Sequence, residues 1–146
     1  IKKQKGTGTA RAGSVKSPVF VGGGRIFGPR PKDYTQTLTK NVKRLARRSA
    51  LSAKVKDQAL VVVEDLSFAA PKTKDFTAVV NALGLSEKKS LFVLPEVNNN
   101  VYLSSRNVEN SQVVTASELN TYQVVNAAKV VLTESSVAVL ESILTK

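Results

Sequence analysis

The side chains that could do chemistry in this chain are cations, and they are concentrated in a glycine-rich stretch, residues 4–34. This stretch holds seven of the eight glycines, three of the five prolines and six lysines or arginines, against one acid, Asp33. Cationic side chains neutralise phosphates, and small residues let a backbone approach them closely. Phe20, Phe27 and Tyr34 could stack on unpaired bases, a mode typical of RNA recognition. These residues predict binding of a polyanion.

Other chemistries fit the sequence poorly. The chain has no His and no Cys, which excludes a thiolate metal site, a cysteine nucleophile and a histidine base. Residues 8–13 have the first spacing of a phosphate-binding loop, but Ser14 and Val15 follow where Lys and Ser or Thr are needed. A dinucleotide fingerprint starting at Gly6 meets Arg11 where Gly or Ala is required. Both nucleotide-binding interpretations therefore fail, and the sequence predicts neither an enzyme nor a metal site.

The charge of the chain is divided unevenly along its length. Residues 1–56 contain 15 Lys or Arg and one acid, whereas residues 57–146 contain 7 basic and 10 acidic residues. A solubilising surface would mix both signs, so the basic half indicates a polyanionic partner, with nucleic acid favoured over an acidic membrane. No run approaches the roughly 20 apolar residues that a membrane span needs.

The elements that must position these cations begin with the glycine-rich stretch itself. Glycine raises the entropy lost on ordering a backbone and proline removes a hydrogen-bond donor, so neither a helix nor a regular strand is favoured there. The stretch is also too poor in apolar residues to hold a shape alone. We therefore expect two parts: an extended loop over residues 1–37 and a globular α/β domain over residues 38–146.

Residues 38–56 are predicted to form a helix with Thr39 as its N-cap. At 3.6-residue spacing one face is apolar or small, and its members are Val42, Leu45, Ala46, Ser49 and Ala53. The opposite side is basic and comprises Lys43, Arg44, Arg47, Arg48 and Lys54. Leu51 and Val55 fall outside the apolar face. Two interpretations of the basic side stay open: an ordinary solvated surface, or a surface that lies on a phosphate backbone.

The remaining residues alternate between two patterns. Short β-branched runs occupy residues 59–63, 90–94, 112–115 and 129–133. Helical patterns occupy residues 74–83, 98–107, 120–127 and 135–144. Near-continuous apolar strands that alternate with helices predict an α/β fold, in which helices flank a mainly parallel sheet. The long glycine-rich and basic loop precedes this body.

Acidic residues follow several of the predicted strands. They are Glu64, Asp65, Glu96, Glu118 and Glu134. The carboxyl ends of parallel strands are where open α/β sheets place ligand sites, so a catalytic or metal-binding carboxylate is one interpretation. Acids also favour the first turn of a following helix because of its macrodipole. With no His, no Cys and no phosphate loop nearby, the second interpretation is favoured.

Four segments of the glycine-rich stretch form a specific pattern: QKGTGTAR (residues 4–11), GSVKSP (13–18), GGG (22–24) and FGPRP (27–31). In order and spacing they resemble the loop of the bacterial ribosomal protein L-four family of the large subunit. The resemblance continues through residues 42–53 and 70–74 and along the strands to the C-terminus. Thr9 and Phe20 depart from the pattern, because the family commonly has Arg and Trp there. Thr9 removes one phosphate contact, and Phe20 keeps an aromatic ring without the indole N–H.

The resemblance implies a non-catalytic structural protein of the large ribosomal subunit, in the cytoplasm. Family members bind 23S-type ribosomal RNA early in assembly, and the tip of their loop lines the nascent-peptide exit tunnel. The implied partners are therefore this RNA, other large-subunit proteins and the nascent polypeptide, with no membrane and no cofactor beyond Mg²⁺ held through the RNA. Family members also begin with a further strand and helix, which we expect this chain to lack. The alternative is an mRNA-binding regulator, because some bacterial members repress their own operon.

Charge, aromatic content and the resemblance together give a set of residues expected to contact ribosomal RNA. They are Lys5, Arg11, Lys16, Phe20, Arg25, Phe27, Arg30, Lys32, Lys43, Arg44, Arg47 and Arg48. The resemblance places the tunnel-facing tip at Lys5, Gly6, Thr7, Gly8, Thr9 and Arg11. Glycines permit a tight turn there, and a wall that passing peptides must not adhere to suits small polar side chains. Phe20 and Phe27 are instead expected to be buried against RNA.

Overall fold

A computed structural model describes residues 5–6 and 13–145 of the chain. The chain divides into two compact units, Ile1–Thr37 and Leu38–Lys146. Between residues 13 and 39 the described backbone forms turns and bends, with no helix or strand. The regular elements of the described chain follow in the order α1 (Lys40–Lys56), β1 (Leu60–Val63), α2 (Thr73–Ala82), β2 (Ser90–Leu94), α3 (Asn99–Ser105), β3 (Ser111–Thr115), α4 (Thr121–Asn126), β4 (Lys129–Thr133) and α5 (Glu134–Thr145).

The four strands form one parallel sheet with the order β1-β4-β2-β3. Val130 of β4 pairs with Leu60 of β1 on one side and with Leu91 of β2 on the other, so the last strand lies inside the sheet. Ser90 of β2 pairs with Ser111 of β3. The predicted α/β fold with a parallel sheet flanked by helices is confirmed, and each strand matches its predicted run to within one residue.

Helices pack on both faces of the sheet, which explains why most residues of its strands are apolar. All five residues of β2 are buried. Leu91 and Val93 belong to a core cluster with residues of α1, α4 and α5, whereas Phe92 and Leu94 belong to a second cluster with residues of α2 and α3. In the second cluster the rings of Phe76 and Phe92 meet edge to face, with centroids 5.1 Å apart.

Local sequence signals fix the ends of two helices. After α2, Gly84 adopts a φ of 64°, and the N–H groups of Gly84 and Leu85 donate to the carbonyls of Asn81 and Val80. These paired bonds complete the helix end with a left-handed glycine, as Gly84 predicts. At the start of α4, the Asn120 side chain accepts a hydrogen bond from the N3 backbone and the N3 side chain accepts one from the Asn120 backbone, which forms a reciprocal capping box.

Helix α1 forms as predicted after Thr39, but it packs on a different face. Val42 and Leu45 of the predicted apolar face are 49% and 65% exposed, whereas Ala50 is buried and Leu51 packs against the core. Lys54, predicted on the basic side, donates from Nζ to the carbonyl of Ala127 at the end of α4 (2.6 Å). The predicted packing face was wrong, because Ala50, Leu51 and the Lys54 ammonium group lie on the side of α1 that meets the body.

Candidate nucleic-acid interface

The first part of the candidate interface is a run of turns over residues 14–24, called the turn segment below. The N–H of Ser17 donates to the carbonyl of Ser14 (3.1 Å), that of Phe20 to Ser17 (3.1 Å), and that of Gly23 to Phe20 (3.0 Å). Each bond closes a turn of four residues, and the three turns follow one another directly. The backbone therefore holds a defined local shape in a part of the chain that has no core.

The turn segment closes on itself through its glycines. The N–H of Gly24 donates to the carbonyl of Lys16 at 2.9 Å, which joins the two ends of a nine-residue loop. A Cβ atom added to Gly23 would lie 2.0 Å from the carbonyl oxygen of Ser17, far inside contact distance. Gly23 is therefore required by close packing of backbone on backbone. The sequence shows three consecutive glycines, but it does not indicate which of them lies against another part of the backbone.

The side chains of this part of the chain point outward. Lys16 and Arg25 are exposed, and so are the two phenylalanines expected to contact RNA, with Phe20 44% and Phe27 99% exposed. Cations beside open aromatic rings suit a partner that combines phosphates with stackable bases.

The segment that follows carries two more of the expected cations. Arg30 and Lys32 are exposed, and the Nζ of Lys32 lies 5.8 Å from the centroid of the Tyr34 ring. Asp33 accepts hydrogen bonds from the backbone N–H (2.9 Å) and the hydroxyl of Thr35. The hydroxyl bond first, and the backbone bond second, lower the pKa of Asp33 below its ordinary value. The only acid among residues 1–56 is thus occupied by its own chain neighbour.

Helix α1 carries the second part of the candidate interface. Lys43 and Arg48 are exposed, whereas Arg44 and Arg47 are half-buried. The four side chains lie on one helix within six residues, so their spacing is fixed by the helix rather than by a loop. Because Lys54 is used to bind a carbonyl of the body, it contributes less to an external surface than the sequence pattern predicts.

The tip predicted from the resemblance is only partly described. Lys5 and Gly6 are exposed, and Gly6 adopts a φ of 93°, a conformation that favours glycine. Thr7, Gly8, Thr9 and Arg11 lie outside the described residues. Arg11 is also one of the residues expected to contact RNA, and its prediction stays untested with those of the tip.

Among the acids that follow the strands, Asp65 has a clear structural partner. Asp65, after β1, accepts hydrogen bonds from the backbone N–H (3.2 Å) and the hydroxyl of Ser135 at the start of α5. The hydroxyl bond is the main reason that the pKa of Asp65 lies below its ordinary value.

Within residues 5–6 and 13–145, no group of three or more acids is arranged to hold a metal ion. In the same ranges, no helix combines the length and apolar character that crossing a membrane requires.

Comparison with known proteins gives a consistent result. A sequence profile of the ribosomal protein L4/L1 family matches residues 1–143. The chain is 61% identical over 142 residues to the large ribosomal subunit protein uL4 of Christiangramia forsetii, covering 97% of this chain and 68% of that protein. It is 60% identical over 146 residues to the uL4 of Flavobacterium johnsoniae, covering 100% of this chain and 70% of that protein. It is 58% identical over 144 residues to the uL4 of Bacteroides thetaiotaomicron, covering 99% and 69%.

Proposed function

Because the chain belongs to the ribosomal protein L4/L1 family, we propose that its basic loop and helix α1 bind the ribosomal RNA of the large subunit. Membership makes the chain a structural protein of that subunit, with ribosomal RNA and other ribosomal proteins as partners. The proposal adds which residues of this chain carry the RNA contact. The proposal includes a cytoplasmic location and no catalytic role, as expected for a structural protein of the large ribosomal subunit.

The observation that carries the proposal is the large excess of positive charge on residues 1–56. Fifteen cationic side chains and one acid share this part of the chain, and that acid, Asp33, is held by Thr35. Such a charge distribution attracts a phosphate backbone with little local repulsion. The exposed Phe20 and Phe27 add a preference for RNA with unpaired bases, because their faces can stack on bases that a duplex keeps hidden.

The loop has a second proposed role at its tip. Residues 5–11 contain Gly and Thr between flanking cations, with no large apolar side chain. Lys5 and Arg11 can anchor such a tip on RNA while the small residues between them face an open channel. We therefore propose that residues 5–11 line the exit tunnel and meet the nascent polypeptide, whereas Phe20 and Phe27 contact RNA.

A binding comparison tests the RNA interface. In one variant Lys16, Arg25, Arg30 and Lys32 are changed to Gln, which removes four positive charges from the loop. The matched control changes Lys72, Lys74, Lys88 and Lys89 to Gln, four exposed cations of the body. With a labelled fragment of large-subunit ribosomal RNA, the loop variant is expected to bind far more weakly than the control. Equal losses in both variants would show that only net charge matters.

The same assay distinguishes the alternative function. An unlabelled leader transcript of the protein's own operon is added as competitor against the labelled ribosomal RNA fragment. At equal concentrations of the two RNAs, we expect most of the labelled ribosomal fragment to stay bound. The reason is that Phe20 and Phe27 require a particular arrangement of unpaired bases. Preferential binding of the leader transcript, abolished by the loop variant, would identify the chain as a messenger-RNA regulator instead.

A further inference from the structure

The carboxyl ends of the four strands open into a groove that the proposed RNA interface does not use. Two adjoining cavities with volumes of about 410 and 320 Å³ form it. The residues that both cavities share are Leu94, Glu96, Val97, Asn98 and Asn99. One cavity extends to Thr133 of β4 and Asp65 after β1, and the other extends to Thr115 of β3. The groove, called the carboxyl-end groove below, therefore crosses the whole sheet.

The size of the carboxyl-end groove suits a short extended peptide. Four neighbouring strands are separated by three spacings of about 4.8 Å, which gives a length of roughly 14 Å. An extended backbone advances about 3.3 Å per residue, so four or five residues would cross the groove. Open α/β sheets commonly bind ligands at the carboxyl ends of their strands, at the point where the strand order reverses. In this sheet β2 lies between β4 and β3, so the order reverses there.

The walls of the carboxyl-end groove are held by hydrogen bonds within the chain. The Asn98 side chain accepts from the N–H of Asn100 (3.1 Å) and of Val101 (3.3 Å). The Asn100 side chain donates to the carbonyl of Phe68 at 2.8 Å. These bonds fix the β2–α3 loop without a ligand, and they occupy two of the amide groups that line the groove. Recognition of a partner then depends on the charged and apolar groups that remain.

Those remaining groups combine exposed apolar surface with acids. Val97 is 73% exposed and Tyr102 is 51% exposed, and both line the groove. Glu96 and Glu118 are exposed carboxylates of the same lining, which contains no Lys or Arg. Asp65 adds a third negative charge, but its oxygens accept hydrogen bonds from Ser135. A phosphate backbone would be repelled here, whereas a cationic peptide would find both charge and apolar complementarity.

We propose that the carboxyl-end groove binds an extended lysine- or arginine-rich peptide segment of a neighbouring protein. Its cationic side chains pair with Glu96 and Glu118, and an apolar side chain packs on Val97 and Tyr102. The body would then have two separate partners, a polyanion at α1 and a polycation at the sheet edge. The groove lies entirely among residues 65–133 of the body, so this inference does not depend on RNA binding by the loop.

A fluorescein-labelled octapeptide of alternating arginine and leucine, capped at both ends, serves as the probe. The protein is the whole chain, and fluorescence anisotropy at low salt measures the dissociation constant. Each exposed ion pair changes affinity by a factor of about 1.4 to 5, so Glu96→Gln with Glu118→Gln should weaken binding about 2- to 25-fold. The matched control, Glu87→Gln with Glu109→Gln, removes two exposed acids that precede β2 and β3 at the opposite edge, and it should leave binding unchanged.

The apolar part of the proposal is tested separately. Val97→Ser keeps every charge and should weaken binding of the arginine–leucine peptide, but not of a peptide with serine in place of leucine. Amide NMR shifts on adding the arginine–leucine peptide should centre on Val97 and Asn99. The proposal is overturned by an absence of saturable binding or by equal weakening in the control variant. It is also overturned if single-stranded RNA with Mg²⁺ produces the same shifts, which would make the groove a metal-bridged RNA site.

Discussion

Removing the two exposed cations of the predicted RNA-contact set on helix α1, Lys43 and Arg48, should change how RNA binding depends on salt. The variant is Lys43→Gln with Arg48→Gln, which shortens neither side chain drastically and keeps good helix formers on the helix surface. Arg44 and Arg47 are left in place because they are half-buried, so replacing them would also change packing. The free energy of unfolding should therefore stay within about 0.5 kcal/mol of the parent value, as for surface substitutions elsewhere.

The magnitude follows from the number of phosphate contacts that are lost. Each neutralised phosphate contributes about 0.7 to 0.9 to the slope of log K against log[salt], so losing two should reduce the slope by about 1.4 to 1.8. Between 50 and 200 mM salt the logarithm of concentration rises by about 0.6, so the affinity advantage of the parent over the variant should shrink about 7- to 12-fold. The effect is large enough to measure by anisotropy with a labelled ribosomal RNA fragment in a series of KCl concentrations.

A control with the same charge change isolates the helix. Lys88→Gln with Lys89→Gln removes two exposed cations from the loop before β2, and it should leave the slope nearly unchanged. If the slope of the α1 variant equals that of the parent, the basic side of α1 is a solvated surface, the other interpretation of the sequence. If both variants reduce the slope equally, the contacts are not localised and the reasoning about α1 is wrong.

Three further changes test other parts of the structure. Gly23→Ala places a Cβ against the Ser17 carbonyl and should weaken RNA binding while the melting temperature of the body stays constant, whereas Gly13→Ala, with open space around it, should do neither. Asn120→Ala removes the α4 capping box and should lower the free energy of unfolding by about 1 kcal/mol in urea titrations, with unchanged RNA binding as the check on folding. The pKa of Asp65 is lower in the folded protein than in the unfolded chain, so its carboxylate stabilises the fold above the ordinary aspartate pKa. This stabilisation is lost as the pH falls through the lowered folded-state pKa. Asp65→Asn should therefore reduce the difference in urea midpoint between about pH 6 and about pH 3. An unreduced difference would show that other carboxylates control acid sensitivity.

The sequence specified the body of this protein well, because its signals there are local and redundant. The runs that became β2 and β4 have apolar centres, and Gly84 ends α2 as a left-handed glycine should. The spacing of apolar side chains predicted the wrong packing face of α1, because that prediction considers only the type of each side chain. The packing surface of α1 depends on which of its residues meet α4 and α5, and Ala50 is small enough to approach them.

The candidate site was predictable in composition but not in geometry. Charge counting identified Lys16, Arg25 and Lys43 without any structure, since a polyanion-binding surface requires a concentration of cations. The backbone bond between Gly24 and Lys16 could not be predicted, because nothing in the side-chain types determines which carbonyl a loop N–H reaches. The carboxyl-end groove was equally hidden. Its acids were visible individually, but the sheet order that aligns Asp65, Glu96 and Glu118 along one edge arises only from folding.

The interior position of β4 has a consequence for the order of events during synthesis. β1 has no neighbour other than β4 among the described strands, and the pairing of Leu60 with Val130 spans 70 residues. At 5–20 residues per second, on the order of 4 to 14 s separate the translation of these two residues. Among the described strands, β1 lacks its partner until β4 is made, and β2 lacks its β4 neighbour from the time β2 itself is made, so both edges could join a foreign strand meanwhile. The basic residues of the loop and α1 are translated before these strands, so RNA could capture the growing chain before its sheet can close.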